Sequence, residues 1–262
     1  MRSKAFTLIE LLVVIAVIAV LMAILMPALQ AAKDQAQRVH CVANTRTLLL
    51  GWLLYKDDFD GRIVGGHTGV RSENGKSQMQ WVDEPPNRTD SWDIKRAAIR
   101  RGLLHKYVGE EIGIYRCPGD RRKESSSLPV AYRTFSIAGG ANGEDWASYN
   151  KIKLYTELKK PAQQYIFTEE MDTRGCNLGS WQMNPRDKTW TDPLAMWHNK
   201  KSTLGFADGH AEMHTWESKS FIDWNLRFMN EPGFQGFGMT SPGDDMADAE
   251  YMARGFPYKS FK

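Results

Sequence analysis

Cysteine is scarce in this chain, with only Cys41, Cys117 and Cys176 in 262 residues. That excludes a small disulfide-stapled scaffold. Three cysteines also allow three alternative single pairings and always leave one over, so no disulfide is assigned. A strong excess of one charge is lacking too. The formal net charge is +3, and Arg2 and Lys4, both within the first five residues, supply two of those charges. Such a near-neutral remainder gives no general case for binding nucleic acid. Also missing are a G-x-S-x-G elbow, an H-E-x-x-H helix and a Walker-type phosphate loop, and no serine or cysteine is marked as a nucleophile by its neighbours. The expectation is a protein that is not an enzyme, and the chain shows no internal repeat.

What is present begins at the N-terminus, with a basic leader followed by Phe6-Thr7-Leu8-Ile9-Glu10, an apolar run and Pro27. Between Phe6 and Met26 only Thr7 and Glu10 carry polar side chains. At about 1.5 Å per helical residue this stretch spans roughly 30 Å, the hydrocarbon thickness of a bilayer. A cleaved secretory signal is the weaker reading, because Leu11 to Met26 is long for one, no A-x-A site closes it and no lipoprotein-type cysteine follows. A carboxylate one turn inside such a run costs about 2.5 to 3.5 kcal/mol on insertion scales. Glu10 is therefore expected to have a partner.

These residues resemble the N-terminal methylation motif of type IV prepilins and type II secretion pseudopilins. The resemblance implies a cut by prepilin peptidase between Ala5 and Phe6, followed by N-methylation of Phe6. Ala5 stands where most members of that family have glycine. It further implies that Glu10 pairs with the amine of Phe6 on a neighbouring subunit. A buried ion pair of that kind sets register more than stability, since a wrong register leaves both charges unpaired. The implied partners are prepilin peptidase, other pilin or pseudopilin subunits and an inner-membrane assembly platform. The implied location is the inner membrane, crossed once, with the basic N-terminus cytoplasmic and the head periplasmic before entry into a filament.

The expected fold is α+β and pilin-like, a long N-terminal helix packed on an antiparallel sheet in a large head. Its divisions are a leader at 1–5, a membrane or filament-core helix at 6–27, an amphipathic continuation at 28–58 and a head at 59–262. Charged residues at 25% and aromatics at 11%, including nine tryptophans, suit a folded head. Beyond Pro27, residues Leu29, Ala32, Ala36, Val39, Ala43, Leu50 and Leu54 keep a three-and-four spacing, with Thr47 filling the gap. Lys33, Asp34, Gln37 and Arg38 mark a polar side. One helix is expected from about residue 6 to 56, closed near Gly61.

Residues 65–92 read as a long surface loop, followed by a helix starting after Asp90 or Ser91 and running toward Gly109. Its basic residues Lys95, Arg96, Arg100, Arg101 and Lys106 read as a solvated face in preference to a phosphate patch. Strands are expected at 130–137, 164–168, 203–207 and 211–216, the last two joined by the hairpin dipeptide Asp208-Gly209. From Pro232 the tail reads as irregular.

A second resemblance covers most of the chain, to large pilin-like proteins of planctomycetes and verrucomicrobia with an H-x9-DG signature. Cys41-Val42-Ala43-Asn44 is similar to their C-x-x-N element and Cys117-Pro118-Gly119-Asp120 to their C-P-x-D element. His198 with Asp208-Gly209 supplies the signature itself.

For chemistry, His210, Glu212 and His214 are spaced to share a strand face, and with His198 they form a zinc-type donor set. The plainer reading, that Asp208-Gly209 is a turn beside surface histidines, is preferred. Glu169, Glu170 and Asp172 suit calcium chemically without an EF-hand spacing, and a solvated acidic turn is preferred for them. Trp81, Trp92, Trp181 and Trp190 sit in polar stretches, where aromatics can stack on glycan or bases or anchor loops in the core. A filament-tip or membrane-anchored binding module for glycan or DNA is the alternative they support, and a membrane-anchored metal-dependent enzyme is the more remote one. No cofactor is assigned.

Overall fold

The computed structural model describes residues 7–73, 76–87, 89–109, 111–122, 132–144, 149–172, 177, 179–231, 233–234, 236–238 and 245–261. Helix α1 (Leu8–Asp58) is unbroken through Pro27, as the spacing predicts. Thr7 caps it: the Thr7 hydroxyl accepts from the Glu10 amide, and the Thr7 amide donates to the Glu10 carboxylate, a reciprocal box that satisfies two of the free donors at the helix start. Up to Lys33 every described side chain of α1 is exposed. Beyond it the head packs along one side, burying Cys41, Thr45, Leu48, Leu49, Trp52 and Tyr55.

That buried side is not the stripe expected from the spacing. Leu29, Val39, Leu50 and Leu54 are exposed, and so are Ala32, Ala36 and Ala43. Cys41, Thr45 and Trp52 each lie two positions, or roughly 200° of helical rotation, from a stripe residue. The reason is volume and shape. The head grips the side carrying Trp52, Tyr55 and two leucines, large groups that fill a core, and leaves the alanine-rich side bare.

Two short strands, β1 (Val70–Glu73) and β2 (Lys76–Met79), pair antiparallel within the stretch expected to be loop. Helix α2 (Trp92–Arg101) follows Ser91 and ends sooner than expected, at Gly102. A Cβ on Gly102 would stand 2.3 Å from the Trp81 carbonyl, so only glycine lets the chain pass. Of its basic residues, Lys95 is buried and Arg101 Nε pairs with Asp83 at 2.5 Å, so this is not a uniformly solvated face.

The core sheet is built from β3 (Phe135–Ile137), with β4 (Tyr149–Asn150) outside it, then β5 (Tyr165–Glu169). After the small pair β6 (Met183–Asn184) and β7 (Thr189–Trp190) come β8 (Lys201–Phe206) and β9 (Ala211–Thr215). The four-stranded order is β3-β5-β8-β9, antiparallel throughout. Asp208-Gly209 turns β8 into β9, with Gly209 at φ 99°, the left-handed region glycine enters freely. Helix α1 lies across β8, β9 and β5. Gly205 of β8 makes that close approach, since a Cβ there would meet Thr45 at 2.5 Å and Leu49 at 2.9 Å.

The tail departs from the irregular structure expected of it. Helix α3 (Lys219–Asn230) precedes it, and the tail itself forms α4 (Ala247–Gly255) and β10 (Ser260–Phe261), which pairs with β4. Trp81, Trp181 and Trp190 are buried in the central core and Trp92 is half-buried. Trp81 packs edge-on to Phe167, and Trp190 stacks on Phe221 at 4.0 Å. Trp81, Trp181 and Trp190 anchor loops to the core and are not presented for stacking on a ligand.

Candidate functional site

At the N-terminus, Ala5 and Phe6 lie outside the described residues. Glu10 is described, and its Oε2 accepts from the Thr7 amide at 2.8 Å and the Thr7 hydroxyl at 2.7 Å. The partner expected for this carboxylate is thus met in part within its own chain, by neutral donors that leave its charge uncompensated. Leu8 to Met26 present apolar side chains on every side of α1, and none is covered by the head. Among the described residues α1 is the one helix long and apolar enough to cross a membrane, with a mean hydropathy of 3.2 in its most apolar window.

The second concentration of chemistry is buried where α1 meets the sheet. Cys41 reaches it from α1, Cys117 from the Cys117–Asp120 turn, Glu169 from the end of β5, and His198 from the segment entering β8. Cys41 and Cys117, 76 positions apart, are joined as a disulfide. His198 Nε2 lies 3.0 Å from Cys117 Sγ and 3.1 Å from Cys41 Sγ. It is 3.6 Å from Glu169 Oε1. All four residues are buried.

The surroundings hold this arrangement in place. The Cys117 amide donates to Thr134 Oγ1 at 3.1 Å, and the Gly119 amide donates to Cys117 Sγ at 3.2 Å. A Cβ on Gly119 would sit 2.9 Å from His198 Cε1, so glycine is required beside the ring. Asn44 Nδ2 donates to the Arg116 carbonyl and Gln37 Nε2 to the Pro118 carbonyl, tying α1 to the turn from both sides of Cys41. Asp120 closes the turn. Burial pushes its carboxyl up, but the Arg122 guanidinium at 2.7 Å, aided by Arg116 at 3.3 Å, holds it below the usual carboxylate range. Directly after His198, Asn199 and Lys200 both have positive φ, 58° and 59°, a costly backbone that turns the chain into β8.

The other expected metal candidates do not join this group. His210 Nδ1 bonds Asp208 Oδ1 at 2.6 Å and its ring stacks on Phe206. Glu212 accepts from the Tyr251 hydroxyl, and His214 stacks on Tyr251 at 4.1 Å. Among the described residues, Cys41, Cys117, Glu169 and His198 are the one group of such side chains whose potential ligand atoms all lie within 4.8 Å of one another. Glu169, Glu170 and Asp172 are buried, so the solvated acidic turn expected there is corrected. Glu170 accepts from Ser136 Oγ on β3, which occupies it within the core. The convergence of the two cysteines with His198 was not anticipated. Its signal lay in the three short elements C-x-x-N, C-P-x-D and H-x9-DG, each of which contributes one member.

Comparison with known proteins falls on the first of these two regions. Residues 1–26 match the prokaryotic N-terminal methylation motif. This methylation motif, followed by the apolar helix, supports a type IV pilin-like subunit, anchored in a membrane, handled by a processing peptidase and assembled with other pilins. No curated protein and no solved structure gives a significant match to the chain.

Proposed function

We propose that the chain is a prepilin-like structural subunit, cut between Ala5 and Phe6 by prepilin peptidase, methylated on Phe6 and assembled into a type IV pilus or type II secretion pseudopilus. Its role is assembly, and no catalysis is assigned to it. The head stands on the periplasmic side before assembly, and an inner-membrane platform receives the subunit. Its C-x-x-N, C-P-x-D and H-x9-DG elements favour kinship with the large pilin-like proteins it resembles.

The observation that carries this reading is the uncovered surface of α1. An apolar half-helix from Leu8 to Met26 is continued, on the head-bearing half, by the exposed side that carries Leu29, Val39, Leu50 and Leu54. The occupant that fits such a surface is the same helix of another subunit, packed alongside it by van der Waals contact of small and branched residues. Glu10 would then trade or share its Thr7 bonds for the charged amine of Phe6 on its neighbour, and so set the stagger.

Intact mass of the membrane-extracted protein tests the processing. Loss of Met1 to Ala5 with gain of one methyl group is expected, and a full-length unmethylated mass from cells that make the peptidase overturns it. Glu10→Ala should remain inserted with its head folded but enter filaments poorly; wild-type assembly of that variant removes the register role.

A further inference from the structure

We propose that Cys41 Sγ, Cys117 Sγ, His198 Nε2 and Glu169 Oε1 form a closed four-ligand site for a zinc-class divalent cation, clasping α1, the Cys117–Asp120 turn and the core sheet together. The proposal stands independently of how the N-terminus is processed.

The four ligand atoms lie within 4.8 Å of one another. With zinc bonds of about 2.0 to 2.3 Å, the edges of a tetrahedral shell are roughly 3.3 to 3.8 Å. The imidazole nitrogen is 3.0 and 3.1 Å from the sulfurs and 3.6 Å from the carboxylate oxygen, close to these edges, whereas the two sulfurs, bonded to one another in this structure, would have to stand apart as thiolates to complete the shell. A disulfide alone explains neither the imidazole aimed at both sulfurs nor the state of Glu169. That carboxylate is fully buried. Its Oε2 accepts from the Thr203 amide at 3.0 Å, but Oε1, which faces the sulfurs, has no hydrogen-bond donor among the described residues. A buried carboxylate oxygen without a donor is costly, and a dication removes that cost.

The donor set selects the ion. Two sulfurs exclude calcium and magnesium, which take oxygen, and favour zinc. Four protein ligands leave no open position for substrate, so the site is structural. The Gly119 amide directed at Cys117 Sγ is the outer hydrogen bond that steadies a coordinating thiolate. On the newly made chain both cysteines are thiols. Each sulfur releases its proton to solvent as it bonds the metal, giving two protons per ion and no change in oxidation state. The disulfide between the same sulfurs is the two-electron oxidised form of the pair, and it excludes the metal.

The test uses the full chain, extracted in detergent without reductant or chelator. Elemental analysis should find about one zinc per chain. Alkylation under denaturing conditions, without prior reduction, should label the peptides carrying Cys41 and Cys117. A cross-linked Cys41–Cys117 peptide from zinc-free protein overturns the proposal. His198→Ala and Glu169→Gln should each weaken zinc retention against a competing chelator at least about tenfold. Zinc held at wild-type strength by either variant overturns the four-ligand assignment. Should a variant fail to fold, cobalt(II) exchange into wild-type protein gives the answer separately. Thiolate-to-cobalt charge-transfer absorption is expected, and its absence from cobalt-loaded protein counts against the site.

Discussion

The two halves of α1 are one continuous helix in two different environments. From Leu8 to Lys33 no side chain is covered, although the sequence there is almost wholly apolar. From Cys41 to Tyr55 the helix is more polar overall, yet one side is sealed under the head, with Trp52, Leu48 and Leu49 fully buried. Burial thus does not follow apolar content. The first half is apolar all round and has no head beside it, which suits a lipid or a neighbouring helix as its solvent. The second half is divided, one side committed to its own chain and the other left bare.

Substitutions can break or sharpen that contrast. The largest effect is expected from Trp52→Ala, which should destabilise the head by about 3 to 5 kcal/mol. The matched change Ile18→Ala in the bare half should leave the head's thermal unfolding in detergent where it was. Equal losses from the two would mean that the halves are not energetically separate. Gly205→Ala should come next, at about 1 to 3 kcal/mol, because its Cβ enters the space of Thr45 and Leu49 and must push α1 from the sheet.

Acid should weaken the head. Asp120 titrates below its ordinary value of roughly 3.9 in the folded state, so it contributes stability above that pH and the contribution is lost as pH falls toward the folded value. The unfolding temperature of the head should therefore drop below about pH 4, and Asp120→Asn should flatten that acid limb. The smallest effect on stability, within about 0.5 kcal/mol, is expected from Leu50→Ser on the bare side of the second half. The same change should reduce co-assembly measured by cross-linking between subunits. A large fall in head stability instead would show that this side already has a partner within the chain.

How far the fold can be read from residue order depends on the range of the signal. The helix from Leu8 to Asp58 and the Asp208-Gly209 hairpin rest on neighbours a few positions apart, and both emerge as expected. The buried side of α1 did not. Spacing marks which residues share a side, but the choice between the alanine-rich side and the tryptophan side is made by what the sheet offers opposite, including the opening at Gly205. Trp81, Trp181 and Trp190 went the same way, since polar neighbours in sequence say little about where a loop folds back. His198 illustrates both limits, 157 positions from one sulfur and 81 from the other.

The sequence by itself determined the membrane half of this protein, because an apolar run with a capping threonine and a single acid needs only local helix physics and a transfer energy to be understood. The clasp was decided by tertiary structure alone. Two sulfurs, an imidazole and a carboxylate meet only once β5 and β8 are paired, the Cys117 turn is tied to Asn44 and Gln37, and α1 is seated on the sheet. Such a site depends on distances of a few ångströms between residues far apart in the chain, and those distances exist only after the core has closed.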